Sequence, residues 1–201
     1  MAPAVGMKAI CVFAGASAGN RERFADVSRA AGAALARRGI TLVFGGGRVG
    51  LMGAVSQGAR AAGGAVVGVI PAALQRKEIA YDAHELTELI VVGSMHDRKA
   101  TMAALADGFI ALPGGFGTFE EICEMITWAQ LGIHRKPCGL LNVDGYFDGL
   151  SQQFDRAVTD GLLRADDRGL VVAEPDPEHL LDRMLRWQPS PLEFHLDWSN
   201  T

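Results

Sequence analysis

Residues 108–131 read GFIALPGGFGTFEEICEMITWAQL and contain a strand, a loop and a helix in that order. The first five residues are a short apolar run, which is typical of a buried strand. The Gly-rich turn PGGFGT follows at 113–118, and the apolar residues after it recur at helical spacing. This spacing predicts a helix over 118–131. The same order of strand, glycine turn and helix recurs elsewhere in the chain.

Short apolar runs alternate with helical patterns along the whole sequence. The alternation predicts an α/β fold of the Rossmann-like, doubly wound kind, with a mostly parallel sheet and helices on both faces. The length of 201 residues suits one domain, which we expect over 1–188, followed by a loosely packed tail over 189–201. The predicted strands are 9–14, 41–44, 65–70, 89–92, 108–112, 138–142 and 170–172, and the predicted helices are 20–38, 50–62, 95–106, 118–131, 145–159 and 177–187.

Composition excludes several classes of protein. With 49% hydrophobic residues the chain is not disordered, and a net charge of -4 gives no electrostatic case for a nucleic-acid partner. The three cysteines are far apart, which fits a reducing cytoplasmic compartment and no zinc spacing, so we expect no metal. No apolar stretch approaches the ~18 residues of a membrane span. The run at 9–14 is short for a signal peptide and ends as a first strand would.

Glycine is in excess, at 25 of 201 residues against about 7% on average. Three predicted strand ends carry glycine turns: GASAG at 15–19, GGGRVGLMG at 45–53 and PGGFGT at 113–118, here called the first, second and third Gly loops. Glycine lets backbone N–H groups approach an anion, and the dipole of a following helix favours negative charge. One such loop serves equally well as a tight turn. Three at one sheet edge favour a phosphate-bearing ligand.

Two motifs in these loops point elsewhere but lack the required context. GASAG fits the nucleophile-elbow pattern G-x-S-x-G, yet only 14 residues precede it, too few for the loop that supplies an oxyanion hole. Ser17 is therefore predicted to contact a phosphate or base, or to cap the next helix. The second Gly loop fits G-x-G-x-x-G, but the acidic residue expected at the end of the next strand is missing. No G-K-[ST] motif follows any loop, so a nucleoside monophosphate is the simplest ligand, and no cofactor is expected.

The segment SMHDRK at 94–99 opens a predicted helix, with Ser94 as its N-cap. Helical spacing places Arg98 in an apolar stripe with Met95 and Met102. Arg98 either extends along the edge of the core to pair with a structural carboxylate, or holds its guanidinium over a cleft, where it binds phosphate or sugar oxygens. Lys99, beside the stripe, would add a second positive charge.

Glu121 has two interpretations as well. Thr118 and Glu121 form T-x-x-E, a capping box, which explains both residues without catalysis. Helical spacing also places Glu121 on the flank of the apolar stripe at the mouth of the third Gly loop, while Glu120 and Glu124 rotate outward. A carboxylate there would face the sugar of a nucleotide. It could then stabilise the oxocarbenium-like transition state of N-glycosidic hydrolysis, or take a proton from water.

LPGGFGTFEE at 112–121, together with SMHDRK, resembles the LONELY GUY family of cytokinin riboside 5'-monophosphate phosphoribohydrolases, whose members are often labelled lysine decarboxylases. The resemblance extends over residues 12–150, through FGGGRVGLMG, VIPAALQRKE and TWAQLGIHRKPCGLLNVDGYFDGL. It implies a Rossmann-like fold and a homodimer. It also implies hydrolysis of N6-prenylated adenosine 5'-monophosphate, and of AMP, to the free base and ribose 5-phosphate. No lysine motif for pyridoxal phosphate is visible.

The resemblance implies that Arg98 and Glu121 are the catalytic pair. A non-enzymatic nucleotide or cofactor carrier on the same fold is the alternative, because Gly loops bind phosphate whether or not chemistry follows. The apolar residues Ile126, Trp128 and Leu131 spread around the predicted helix and favour a dimer independently. The resemblance also implies substrate contacts at Glu78, Lys99, Gly114, Gly115, Phe116, Gly117, Thr118, Phe119, Glu120 and Thr127. Ser17, Gly46 and Met95 complete the predicted substrate-binding residues.

Overall fold

The structure is a computed structural model and describes residues 6–75 and 81–188. In this part of the chain one parallel sheet has seven strands in the order β4-β3-β2-β1-β5-β6-β7. Every neighbouring pair runs parallel. The strands are β1 Ala9–Phe13, β2 Thr41–Phe44, β3 Val66–Pro71, β4 Glu88–Val92, β5 Gly108–Ala111, β6 Cys138–Leu141 and β7 Val171–Glu174.

The helices divide between the two faces of the sheet. On one face α1, α2 and α8 pack over the even-numbered side chains of β1, such as Ile10 and Val12. On the other face α4 and α5 pack over Cys11 and Phe13. The α-helices are α1 Glu22–Arg37, α2 Gly50–Ala61, α3 Ala72–Gln75, α4 Met95–Leu105, α5 Phe116–Gln130, α6 Asp148–Thr159, α7 Ala165–Arg168 and α8 Pro177–Arg186, with 3-10 turns at Ala83–Glu85 and Val143–Gly145.

Strands β1, β5 and β6 are buried on both sides, which is why their sequences read as unbroken apolar runs. The strand order reverses at β1, which pairs with β2 on one side and β5 on the other. Loops after the two strands at such a switch point leave a crevice at the carboxyl edge of the sheet. The first and third Gly loops follow β1 and β5, so the fold places both at this crevice.

The predicted fold class is confirmed, and all seven strands lie within two residues of their predicted positions. Helix starts differ more: α1 begins at Glu22 rather than at 20, α5 at Phe116 rather than at 118, and α6 at Asp148 rather than at 145. The predicted tail, residues 189–201, and the predicted contact Glu78 lie outside the described residues. Over the described ranges no helix is long and apolar enough to cross a membrane.

Candidate active site

The three Gly loops meet at the carboxyl edge of the sheet. The Gly15 N–H donates a hydrogen bond to the Pro113 carbonyl at 3.1 Å, which joins the first loop to the third. The Leu51 N–H donates to the Gly15 carbonyl at 2.9 Å, which joins the second loop to the first. At Gly50, where φ is +62°, a Cβ would lie 2.3 Å from the carbonyl carbon of Ala16. Only glycine permits this approach, so the loops form one backbone surface.

A cavity of about 340 Å³ opens beside this surface. Its walls are the first Gly loop and the residues Gly114 and Gly115, completed by the side chains of Phe24, Leu51 and Tyr146. The cavity lies between the loops after β1 and β5, at the switch point of the sheet. Open parallel sheets bind their ligands at this position.

The third Gly loop leads directly into α5. Gly115 is the N-cap, and the helix begins at Phe116 with no side chain capping it. The first N–H groups of a helix have no partner inside the helix, so the start of α5 offers donors to an anion. A Cβ at Gly115 or at Gly117 would meet no atom within 4 Å. The space in front of these two residues is therefore free for a ligand.

The predicted capping box of Thr118 and Glu121 is wrong. The two glycines before α5 let the helix begin earlier, so Thr118 is its third residue rather than its cap. The Thr118 side chain is buried under the loop, where a Cβ added at Gly114 would lie 2.1 Å from its Oγ1. Glu121, released from capping, faces α4 instead.

Arg98 is buried, as its place in the apolar stripe predicts, and its guanidinium spans two elements. Its Nη1 lies 3.3 Å from Oε1 of Glu121 in an ion pair, and its Nε donates to the Val69 carbonyl of β3 at 3.3 Å. A Cβ at Gly45 would lie 1.8 Å from Nη2, so the guanidinium passes directly over the second Gly loop. Gly45 is therefore needed to leave room for the Arg98 side chain as well as to form the turn.

Glu121 carries a buried carboxyl group, with 8% of the residue exposed. Burial raises its pKa, because the charged form loses solvation, and the positive charge of Arg98 opposes this rise without cancelling it. The nearby charge of Glu120 also raises the pKa. A carboxyl group with a raised pKa in a site beside a cationic partner is a candidate general base.

Lys99 forms a second charged cluster on the outer side of α5. Its Nζ donates to Glu120, and to Oε1 of Glu124 at 3.1 Å. Burial alone would lower the pKa of Lys99, but the hydrogen bonds and the negative charges of the two glutamates together outweigh it, and the pKa is raised. The expectation that both glutamates rotate outward is wrong for Glu124, because Lys99 draws it into a half-buried position. Glu120 is exposed and pairs with the same lysine.

The other predicted contacts are scattered. Ser17 is exposed and its Oγ accepts from the Gly19 N–H at 3.2 Å. It does not cap α1, whose N-cap is Arg21, so that alternative is wrong. Gly46 is buried, with φ +73° and its carbonyl bonded to the Tyr81 N–H at 3.1 Å.

Met95, Phe116 and Thr127 are exposed. Met95 stays beside the site, with its Sδ 4.0 Å from Nη1 of Arg98, and Phe116 is 94% exposed at the start of α5. Thr127 lies about 1.7 helical turns beyond Glu121. Its hydroxyl donates to the Cys123 carbonyl at 2.8 Å. It lines a different cavity, of about 160 Å³, with residues of α6 and α7. The structure does not bring Thr127 to the Arg98–Glu121 pair.

Tyr146 is a residue of the site that the sequence pattern did not single out. It follows β6, and its hydroxyl donates a hydrogen bond to the Gly114 carbonyl of the third Gly loop. Its ring stacks on Phe119 with centroids 6.4 Å apart. The sequence marks the segment NVDGYFDGL only through the family resemblance, and its one local signal is its position directly after a predicted strand.

Comparison with known proteins adds a family to this geometry. The matching family model is described as "Possible lysine decarboxylase" and spans residues 52–184. A rice protein, probable cytokinin riboside 5'-monophosphate phosphoribohydrolase LOGL1, is 51% identical over 181 residues, which are 90% of this chain and 80% of the rice protein. The chain belongs to the LOG family. The Arabidopsis thaliana LOG protein LOG5, a cytokinin riboside 5'-monophosphate phosphoribohydrolase, is 48% identical over 90% of this chain and 79% of its own length.

Solved structures place this LOG protein in a wider fold group. The molybdenum cofactor carrier protein of Chlamydomonas reinhardtii matches with a TM-score of 0.67 at 22% identity, covering 90% of this chain and 98% of the carrier. The molybdenum cofactor binding protein of Rippkaea orientalis matches with a TM-score of 0.64 at 24% identity, covering 89% of this chain and 95% of the binding protein. At such low identity the likeness shows a shared fold and nothing about ligands.

Proposed function

We propose that the protein hydrolyses the N-glycosidic bond of cytokinin riboside 5'-monophosphates. The substrates are N6-prenylated AMP and AMP, and the products are the free base and ribose 5-phosphate. The observation that carries this proposal is the buried Arg98–Glu121 pair beside the open start of α5. The names of relatives that are 46–51% identical support it.

The phosphate would bind at the start of α5. The free N–H groups of the first helical turn and the empty space at Gly115 and Gly117 suit an anion with several acceptor oxygens. Each charge-assisted hydrogen bond contributes about 1.5–3 kcal/mol, which positions the ribose rather than activating it. A phosphate held here would place the sugar near Glu121, which lies on the second turn of the same helix.

Glu121 would act on the reacting carbon. Departure of the base leaves positive charge on the sugar, and a carboxylate in a desolvated site stabilises that charge more strongly than it would in water. The same carboxylate can accept the proton of the attacking water, for which a raised pKa is suited. Arg98 would hold Glu121 in place through their ion pair and offer its remaining donors to phosphate or sugar oxygens.

The remaining substrate contacts belong to this proposal too, within a single nucleotide-binding and catalytic domain over residues 1–188. Lys99 and Glu120 are adjacent to the pair and already bonded to each other, so a ligand oxygen at Lys99 would have to compete with Glu120. Thr127 requires a ligand, or a neighbouring molecule, that reaches beyond the α5 start. The proposed binding residues are Ser17, Gly46, Glu78, Met95, Lys99, Gly114, Gly115, Phe116, Gly117, Thr118, Phe119, Glu120 and Thr127.

The carrier alternative has weaker support. It rests on fold likeness at 22–24% identity, whereas the relatives that share about half of the sequence are named as hydrolases. A carrier also has no need of a desolvated carboxylate next to the ligand. Its distinguishing outcome is tight retention of a nucleotide with no product over long incubation.

The direct test is incubation of the protein with N6-prenylated AMP, AMP and the corresponding nucleosides, with chromatography of the products. We expect equal amounts of free base and ribose 5-phosphate from the monophosphates, and little release from the nucleosides, because these lack the group that binds at α5. Absence of free base from both monophosphates would overturn the proposal.

We also propose a homodimer in the cytoplasm. Leu131 and Ile133, at the end of α5, are 39% and 40% exposed, and Ile126 and Trp128 are only half-buried, so apolar surface continues around the helix. A second copy of the chain would cover it. The cytoplasmic assignment rests on the cysteines, which are free thiols at all three positions.

A further inference from the structure

We propose that Tyr146 is a positioning residue that fixes the third Gly loop for binding of the 5'-phosphate. This inference rests on the proposed function, since it concerns the same phosphate subsite. Gly114 and Gly115 form a flexible pair, and such a pair loses much conformational freedom when it is held in one orientation. Whatever orders the loop before the ligand arrives therefore raises the affinity for the ligand.

The hydroxyl of Tyr146 acts on the peptide unit that matters. It donates to the Gly114 carbonyl, and that carbonyl belongs to the same planar peptide as the Gly115 N–H. In a trans peptide the two groups point in opposite directions, so holding the carbonyl at Tyr146 fixes the direction of the N–H. Gly115 is the N-cap of α5, where free donors begin. The hydroxyl thus sets the direction of this donor through the peptide group.

The aromatic ring of Tyr146 is held from several sides. It meets Phe24 of α1 edge-to-face at 5.6 Å and Phe147 at 5.1 Å, and it stacks on Phe119 of α5. Two helices and the adjacent Phe147 therefore fix the ring, although 38% of the residue is exposed. Part of this exposed surface lines the 340 Å³ cavity. A ring held in this way keeps its hydroxyl in place at little entropic cost.

The chain before Tyr146 takes an unusual conformation that directs the ring to the loop. Asp144 has φ +51° and ψ 33°, in the left-handed region. Such conformations persist where neighbouring groups hold them, often near functional sites. Here Asp144 pairs with Arg23 at 2.9 Å, and the Oδ1 of Asn142 accepts from the Phe147 N–H at 2.7 Å. These bonds fix both ends of the turn that carries Tyr146.

The test removes the hydroxyl and keeps the ring. Two proteins are compared, the Glu121→Gln variant and the same variant with Tyr146→Phe added, because Glu121→Gln prevents turnover during titration. Calorimetry measures the Kd of AMP and the Kd of adenosine for each protein. We expect the Kd of AMP to rise about fivefold, which corresponds to loss of one hydrogen bond, and the Kd of adenosine to stay within a factor of two. If Tyr146 had a merely structural role, the substitution would lower the affinity for both ligands alike.

The matched control is Tyr81→Phe, which removes the hydroxyl of a buried tyrosine that packs against Phe44. It should leave the ratio of the two Kd values unchanged. If Tyr146→Phe leaves the ratio of the two Kd values unchanged, whether both affinities stay the same or both fall equally, the inference is overturned. The measurement needs no catalysis, so a protein that binds AMP but never hydrolyses it would refute the proposed reaction and leave the role of Tyr146 intact.

Discussion

Replacing Glu121 with glutamine separates catalysis from folding. The neutral side chain can neither stabilise an oxocarbenium-like sugar nor accept a proton, so we expect kcat to fall by about 10²–10⁴-fold. The Kd of AMP should change little, because the phosphate donors lie at the start of α5. Steady-state kinetics and calorimetry measure the two effects. Glu22→Gln, at an exposed position on α1, is the matched control and should retain full activity. Retained turnover in Glu121→Gln would exclude Glu121 as the catalytic carboxylate.

The raised pKa of Glu121 also predicts how stability depends on pH. A carboxyl group with a raised folded-state pKa contributes most stability below its ordinary pKa of 4.5, and loses that contribution as pH rises through the raised value. Glutamine stays neutral at every pH. Glu121→Gln should therefore melt at a higher temperature than the unaltered protein at pH 8, with the difference vanishing near pH 4. A variant that is less stable only at pH 8 would show that the ion pair with Arg98 outweighs burial.

At the scale of an element, the start of α5 gives a prediction that separates binding from stability. Gly117 lies in the first turn of the helix, where alanine is favoured by about 0.5–1 kcal/mol, and its Cβ would enter empty space. Gly117→Ala should be slightly more stable in denaturant titration, yet lose at least about tenfold in kcat/KM, because the methyl group occupies the proposed phosphate site. Gly149→Ala, in α6 and equally open, should gain similar stability with unchanged kcat/KM. Equal kcat/KM in both variants would contradict a phosphate site at this turn.

Elements were predictable to different degrees for physical reasons. Apolar runs that are buried on both sides, as in β5, determine strands by composition alone. The burial of Arg98 followed from helical spacing. The start of α5 could not be predicted in this way, because T-x-x-E satisfies the capping pattern at Thr118. The paired glycines before the helix let it begin two residues earlier. The position of Tyr146 depends on β6 lying next to β5, a tertiary fact that local patterns do not contain.

At the scale of the whole molecule, the doubly wound fold explains why distant segments form one site. Strands β1 and β5 are neighbours although Cys11 pairs with Phe109, 98 positions further along the chain, and this pairing brings the first and third Gly loops together. Helix α4 crosses from the edge strand β4 back to β5, which carries Arg98 over the second Gly loop. The alternation of strands and helices in the sequence predicted the sheet. The proximity of Arg98 and Glu121 comes from the crossover of α4, and their separation of 23 residues in the sequence does not reveal it.

The apolar surface at the end of α5 predicts the state of association. The exposed side chain of Leu131 lies on this surface, and an isolated monomer would leave it in water. We expect sedimentation velocity to show a dimer at micromolar concentration, and Leu131→Asp to shift it to monomer by placing a charge in a dry interface, with an unchanged circular dichroism spectrum. Leu162→Asp, at a position 83% exposed between α6 and α7, should remain dimeric. A monomeric unaltered protein would contradict the dimer. A dimer that is insensitive to Leu131→Asp would place the association surface elsewhere, because a buried aspartate carboxylate without a partner is costly.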